Sequence, residues 1–466
     1  MFYTIYSMFG WLLIFVAAPF YALYSLITGK RIPDLLQRFG FFDVSYCWLY
    51  SKRIWFHAAS VGEVQAAKAL ASALQRVGTE ADIIITTVTK QGQIAAKRQF
   101  EHTALCLYAP IDLPWIVNRF IQKLRPSVYV CLETELWPNI LRLMRTRNTP
   151  TLLLNGRLSK KSFCRYQKIS GLIGQVMRCF NAASVISASD RERYLALGIA
   201  PNTIEVNGNA KYDITLESLF SQHDALSGLT GHTLREAAVK YYREMFGLKQ
   251  KDTVLVAGST HAGEEAMMLS AFAALQKSIP DLYLIIAPRH LDRLEQIMSD
   301  WQSQGLSFQT FSQLQQEKRA THLILVDRMG ELAKLYAFAT YVFCGGSLVN
   351  RGGHNIMEAA IWGKPPLYGP YMSDYIDART LLEDHAAGYT VTDVDTMVET
   401  ILFFHLNPDD YQSASQRALA VASAQQGSAS RQVEMLCQTL GNENHLSRLP
   451  VSSVGLDLIS PQMSIH

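Results

Sequence analysis

Several large functional classes are closed to this chain by what it lacks. Its seven cysteines are scattered, odd in number and never spaced as CxxC, which excludes a disulfide framework and a zinc ribbon. Thiols used in this way suit a reducing, cytosol-facing compartment. A formal net charge of only +3 provides no strongly basic surface for bulk nucleic acid. HExxH, an EF-hand loop, GxxxxGK[ST] and GxSxG are all missing, so P-loop hydrolysis and serine-hydrolase chemistry have no support. His57, His261, His290 and His354 are not spaced like a local metal site, and no metal or cofactor is expected.

Charge is absent from one stretch in particular. Residues 1–29 carry no charged side chain, and Met8 to Ile27 is almost wholly apolar. About 20 such residues are enough to cross a bilayer as a helix. Lys30, Arg31 and Arg38 follow the run, where a cleaved signal peptide would have its positive charge in front. The expectation is an uncleaved, single-pass anchor over 1–29, with the body of the protein on the cytoplasmic side. Residues 32–42 mix bulky apolar groups with arginine and read as a membrane-surface segment or a packed linker.

From residue 54 onward the chain is rhythmic. Short apolar runs at 54–58, 82–88, 104–108, 127–132, 151–154 and 183–187 alternate with helical spacing, as at 64–77 and 163–179. Residues 216–250 lose the rhythm, being polar with a helix-like piece at 236–246, and read as an inter-domain connection. The alternation then restarts with strands at 253–257, 283–287, 322–327 and 341–344. This pattern predicts an α/β fold with two doubly wound, parallel-sheet domains. Ligands in such sheets bind beyond the carboxyl ends of the strands.

The unusual residues stand at those ends. HAASVGE closes the first strand, and its Ser60-x-x-Glu63 reads either as a capping box or as a general base, two uses of one carboxylate. ETELWPN places Glu133 and Glu135 before a helix opened by Pro138. One of them complements the helix dipole, which leaves the other for a ligand hydroxyl or a basic partner. Asn155-Gly156-Arg157 ends the next strand, and Lys211 lies in a glycine/asparagine turn. In the second half, Ser259, Thr260 and His261 precede a helix start suited to phosphate or carboxylate. Arg289 follows a strand directly, where a guanidinium clamps an anion. Then comes GGSLVNRGGHNIMEAA, residues 345–360, read as an anion cradle that runs into a helix beginning at His354, with Glu358 one turn later.

HAASVGE, ETELWPN, NGRLS, GNAKYD, GSTHAGEE, APRH, DRMGEL and GGSLVNRGGHNIMEAA, in this order, resemble the Kdo transferases of lipopolysaccharide synthesis, the 3-deoxy-D-manno-octulosonic acid transferases of glycosyltransferase family 30. Ala210 departs from that pattern, and 226–245 and the tail lie outside its motifs. The resemblance implies a GT-B fold, with an acceptor domain at 30–225 after the anchor at 1–29 and a donor domain facing it across a cleft at 226–440; the polar, aperiodic stretch 441–466 reads by its composition as a disordered tail. It implies inverting, metal-independent transfer from CMP-Kdo to the lipid A precursor, lipid IVA, at the bacterial inner membrane. By the same resemblance Glu63 is the base. Arg289, Met329, Gly330, Asn355 and Glu358 contact CMP. Ser259, Thr260 and His261 face the phosphate or the Kdo carboxylate, and Lys211 belongs to the donor side. Ser60, Gly62, Glu133, Glu135, Asn155 and Arg157 are acceptor-side candidates. The alternatives are another nucleotide-sugar enzyme of this fold, such as a UDP-GlcNAc 2-epimerase, and a membrane-anchored scaffold without catalysis.

Overall fold

The computed structural model describes residues 3–12, 15, 16, 20, 35–44, 46, 48–101, 103–220 and 224–441. The chain divides into two compact units, residues 1–207 together with 429–466, and residues 208–428.

The first unit is built on seven strands: β1 (Arg53–His57), β2 (Asp82–Thr87), β3 (Ala104–Tyr108), β4 (Val128–Leu132), β5 (Thr151–Gly156), β6 (Ala182–Val185) and β7 (Ile204–Val206). They are ordered β3-β2-β1-β4-β5-β6-β7, with every pair parallel. A parallel sheet is covered on both faces, so its strands are apolar runs without alternation; Ile54, Trp55, Phe56, Val128, Tyr129 and Val130 are all fully buried. The Trp55 indole satisfies its one polar group by donating to Thr86 Oγ1 at 2.8 Å. The helix Ser428–Thr439 packs back on this unit, where buried Gln432 accepts the Asn155 N–H at 2.8 Å. The boundary therefore falls at 207/208 and the chain from 429 rejoins the first unit, in place of the expected division at 225/226.

Residues 3–12 are helical and lie on the first unit: Ser7 Oγ donates to Asn139 Oδ1 at 3.1 Å and Trp11 stacks on Trp115 at 6.1 Å. Ile5, Met8, Phe9 and Leu12 stay exposed. Among the described residues no helix is long and apolar enough to cross a membrane. Most of the expected span beyond Leu12, like the expected disordered tail beyond residue 441, lies outside the described residues.

The second unit has the order β10-β11-β9-β8-β12-β13-β14, again parallel throughout. Its strands are β8 (Thr253–Thr260), β9 (Leu282–Pro288), β10 (Phe308–Thr310), β11 (Leu323–Leu325), β12 (Tyr341–Cys344), β13 (Pro366–Tyr368) and β14 (Tyr389–Thr390). The stretch read as a connection is part of this core. Helix Gly231–Met245 buries Leu234, Ala238 and Tyr242, four residues apart and so on one face, together with Phe246. The strands missed by sequence, β7, β10, β13 and β14, are two or three residues long, too short to display a period.

Candidate active site

Each sheet has a central point from which successive strands are added in opposite directions, and the crevice beyond such a reversal is where open α/β sheets bind ligands. In the first unit the reversal lies between β1 and β4. Their exits carry HAASVGE and ETELWPN.

Glu63 is buried in the first turn of helix Val61–Arg76, beside Gly62. Its Oε2 accepts the Ala59 N–H at 2.6 Å and its Oε1 accepts the Ser60 hydroxyl at 3.1 Å. Ser60 makes no side-chain cap, so the reciprocal capping box is not formed. Burial pushes the Glu63 carboxyl well above its ordinary range, and the charges of Glu133 and Glu135 push it further against the two hydrogen bonds. Neither Glu133 nor Glu135 caps the next helix. Asp112 does so from 27 residues away, its Oδ2 and Oδ1 accepting the N–H groups of Asn139 and Ile140 at 3.0 and 2.9 Å. Glu135 instead accepts the Trp137 indole N–H at 2.7 Å and lies 3.8 Å from His57 Nε2. Burial would raise its carboxyl, but the nearby His57 imidazole and the hydrogen bond from Trp137 outweigh that and hold it below the ordinary range. Two neighbouring carboxylates are thus driven in opposite directions, Glu63 upward and Glu135 downward.

The exits of β4 and β5 are tied together. Thr134 Oγ1 donates to the Arg157 carbonyl and Tyr194 Oη donates to the Glu133 carbonyl, each at 2.9 Å. Glu133 and Asn155 both have left-handed backbone, with φ of 53° and 55°. Such strain in non-glycine residues persists only where the surroundings impose it, and it gathers at functional sites. Asn155 also sits at a register shift between β5 and β6.

In the second unit the reversal lies between β8 and β12. Here the structure corrects the anion cradle. The N–H groups of Gly346, Ser347 and Leu348 are taken by the protein's own carboxylate, Glu264, at 2.7, 3.1 and 3.0 Å. Glu264 also accepts the His261 N–H at 2.9 Å and is completely buried. Gly345 is required by this closure, because a Cβ there would stand 2.7 Å from the Ser259 carbonyl oxygen. The helix expected from His354 begins only at Met357 and runs four residues. Thr260 is likewise spent internally: its hydroxyl donates to Glu265, which is held bidentately by Arg293 at 3.0 and 3.1 Å.

Beside this latch lies a cavity of about 390 Å³ lined by Ser259, Arg289, Met329, Gly330, His354, Asn355 and Glu358, among others. Six of these seven are candidates from the sequence; His354 stands there only as part of the glycine stretch. Lys211, Thr260 and His261 do not line it. Ser259 has φ of 54°, beside a register shift between β8 and β9. Asn355 accepts the Met357 N–H at 3.1 Å and donates to Glu358 at 3.4 Å. Burial raises the Glu358 carboxyl to about 7, with Asn355 and Arg289 opposing. A carboxylate of this kind accepts hydrogen bonds from ligand hydroxyls, and Arg289 supplies the charge for an anion. Among the described residues no cluster of three or more histidine, cysteine, aspartate or glutamate side chains is arranged to hold a metal ion.

Residues 34–214 match the family model described as 3-deoxy-D-manno-octulosonic-acid transferase (kdotransferase). A 3-deoxy-D-manno-octulosonic acid transferase of Haemophilus influenzae is 32% identical over 367 residues, 78% of this chain and 81% of that protein. The chain belongs to the Kdo transferase family. It is accordingly a glycosyltransferase. The Bordetella pertussis Kdo transferase is 28% identical over 401 residues, 83% of this chain and 87% of its own. The UDP-GlcNAc 2-epimerase of Neisseria meningitidis is similar in fold alone, with a TM-score of 0.51 at 12% identity over 83% of this chain and all of that one.

Proposed function

We propose that this Kdo transferase moves Kdo from CMP-Kdo to a hydroxyl of the lipid A precursor, lipid IVA, in lipopolysaccharide synthesis, with inversion and with Glu63 as general base. The observation that carries the reading is Glu63 itself: a buried carboxylate at the sheet's reversal point, raised well above its ordinary range while its neighbour Glu135 is lowered. A base works best when its pKa lies near the working pH, and burial moves Glu63 in that direction. Glu63 takes the hydroxyl proton as the oxygen attacks the anomeric carbon. In the second unit, Glu358, oriented by Asn355, accepts the ribose hydroxyls of CMP. Arg289 stabilises the phosphate as it gains charge, an interaction worth more in the transition state than in the ground state.

A lipid acceptor places the enzyme at a membrane. The exposed Ile5, Met8, Phe9, Leu12, Phe15 and Val16 support attachment of the N-terminal segment to the inner membrane, with both units in the cytoplasm. The reading of that segment as a single-pass anchor belongs to the same proposal.

Incubation with labelled CMP-Kdo and lipid IVA, followed by mass spectrometry of the lipid, tests the transfer. Addition of Kdo to the lipid with stoichiometric CMP is expected; CMP release without sugar on lipid overturns it. Flotation with anionic vesicles tests the attachment, which removal of residues 1–34 should abolish.

A further inference from the structure

Two histidines of the second unit meet in a way that the reaction just described leaves unused. His261 follows β8 and His354 follows the second glycine pair, and their Nε2 atoms are 3.0 Å apart. The rings are nearly parallel, at 6° with centroids 5.3 Å apart, and His290 sets its edge against His261 at 5.4 Å. Two imidazole nitrogens at this distance hold one proton between them, since two protons would collide and none would leave two lone pairs face to face. The pair is therefore neutral or singly positive, never doubly positive. The backbone enforces the contact. Glu264 holds the His261 N–H, and a Cβ at Gly346 would come within 3.1 Å of the His354 ring and 3.3 Å of the His261 ring.

The pair adjoins the donor cavity, because His354 lines it together with Ser259 and Arg289. Burial, then Arg289, His261 and His290, hold His354 down at about 4. Burial, then His290, Arg351 and Arg293, lower His261, with Glu265 opposing. Glu358, Tyr336, Cys344, Tyr375 and the guanidinium of Arg328 share the cavity wall, and Glu264 is engaged by four backbone N–H groups. With the cavity empty, the pair is neutral at pH 7. An arriving anion reverses the sign of the field that keeps it so.

We propose that His261 and His354 act as one proton-carrying unit for the phosphate of the departing nucleoside monophosphate. The inference rests on the donor-cavity assignment made above. Binding of the anionic donor brings one proton to the pair. When the bond between the anomeric carbon and the phosphate oxygen breaks, its electron pair stays on that oxygen. The pair's proton moves to the same oxygen, as the monoanionic diester becomes a monoester. The acceptor oxygen forms the new bond to the anomeric carbon and its proton goes to Glu63. Solvent then takes the proton from Glu63 and returns one to the histidines, so the cycle balances.

Calorimetric titration of the full chain with CMP and with cytidine, in two buffers of different ionisation enthalpy, reads the proton directly. At pH 8 CMP is dianionic, its second pKa being about 6, and Glu358 is largely ionised before either ligand binds. Wild type is expected to take up close to one proton per CMP and none per cytidine. His354→Gln should bind CMP at least tenfold more weakly with no uptake, while cytidine affinity stays within twofold. If His354→Gln fails to fold, His261→Gln, at the more exposed member, carries the same test. CMP binding without uptake in wild type, or uptake that survives in the variant, overturns the proton-carrying pair and leaves the cavity assignment standing. No binding of CMP or cytidine to wild type overturns the cavity assignment, and the pair with it.

Discussion

Replacing Glu63 with glutamine separates its two possible roles by sign. The amide can keep both contacts of the carboxylate: its oxygen accepts the Ala59 N–H, and its NH₂ donates to Ser60 Oγ. The roughly 1 kcal/mol loss expected of a broken cap should therefore not appear. The charge effect runs the other way. The folded state holds the Glu63 proton to well above 4.5, whereas the unfolded chain releases it near 4.5. Stability from this group is complete below about pH 4.5 and is lost as pH rises toward the folded pKa, at about 1.4 kcal/mol per pH unit. Glutamine escapes that loss, so Glu63→Gln should be about as stable as wild type at pH 5 and more stable at pH 7.5. Turnover should fall 100- to 10,000-fold, about 3–5 kcal/mol of barrier, with CMP binding intact. Urea denaturation at the two pH values, beside turnover of CMP-Kdo, reads both quantities. A variant that loses about 1 kcal/mol at both pH values and keeps its turnover would refute the reasoning, making Glu63 a structural cap.

Glu264→Ala should strip four N–H groups of their acceptor, those of Gly346 and Ser347 buried, at about 1–3 kcal/mol for each buried group left unsatisfied. A sharply lower thermal midpoint or insoluble protein is expected, and an unchanged midpoint would argue against the latch. Glu358 titrates near 7 when the cavity is empty and accepts hydroxyl donors best when ionised. Cytidine affinity should therefore rise between pH 6 and 8 with release of a proton, and Glu358→Gln should bind more weakly with a flat pH profile in the same titration. Arg289→Ala should lower kcat as well as kcat/KM for CMP-Kdo, the latter at least tenfold, while leaving cytidine affinity within twofold, as measured by initial rates and calorimetry; equal losses for both ligands would mean that Arg289 does not serve the phosphate.

Much of the architecture is legible in the chain. Continuous apolar runs such as Ile83 to Ile85 and Leu152 to Leu154 announce buried parallel strands, and the polar motifs after them mark the ligand-facing edges. Arg289, Met329, Gly330, Asn355, Glu358 and Ser259 do line one cavity, and Ser60, Glu63, Glu133 and Glu135 do gather around one reversal point. The glycine cradle misleads because backbone geometry alone does not say which anion fills it. Helix Gly231–Met245 misleads because its buried face, Leu234, Ala238 and Tyr242, is diluted by polar neighbours.

What the sequence determined by itself is therefore the periodic part, strand, turn and helix in two rounds, since each element is encoded by residues next to one another. The tertiary structure alone decided how competing donors and acceptors were shared. Glu264 reaches a loop 82 residues away, Asp112 relieves Glu133 and Glu135 of capping across 27, and His261 meets His354 across 93. A carboxylate or an imidazole is the same in any stretch of sequence. Its partner, and with it its charge and its task, is set by which distant strand end the sheet order brings alongside.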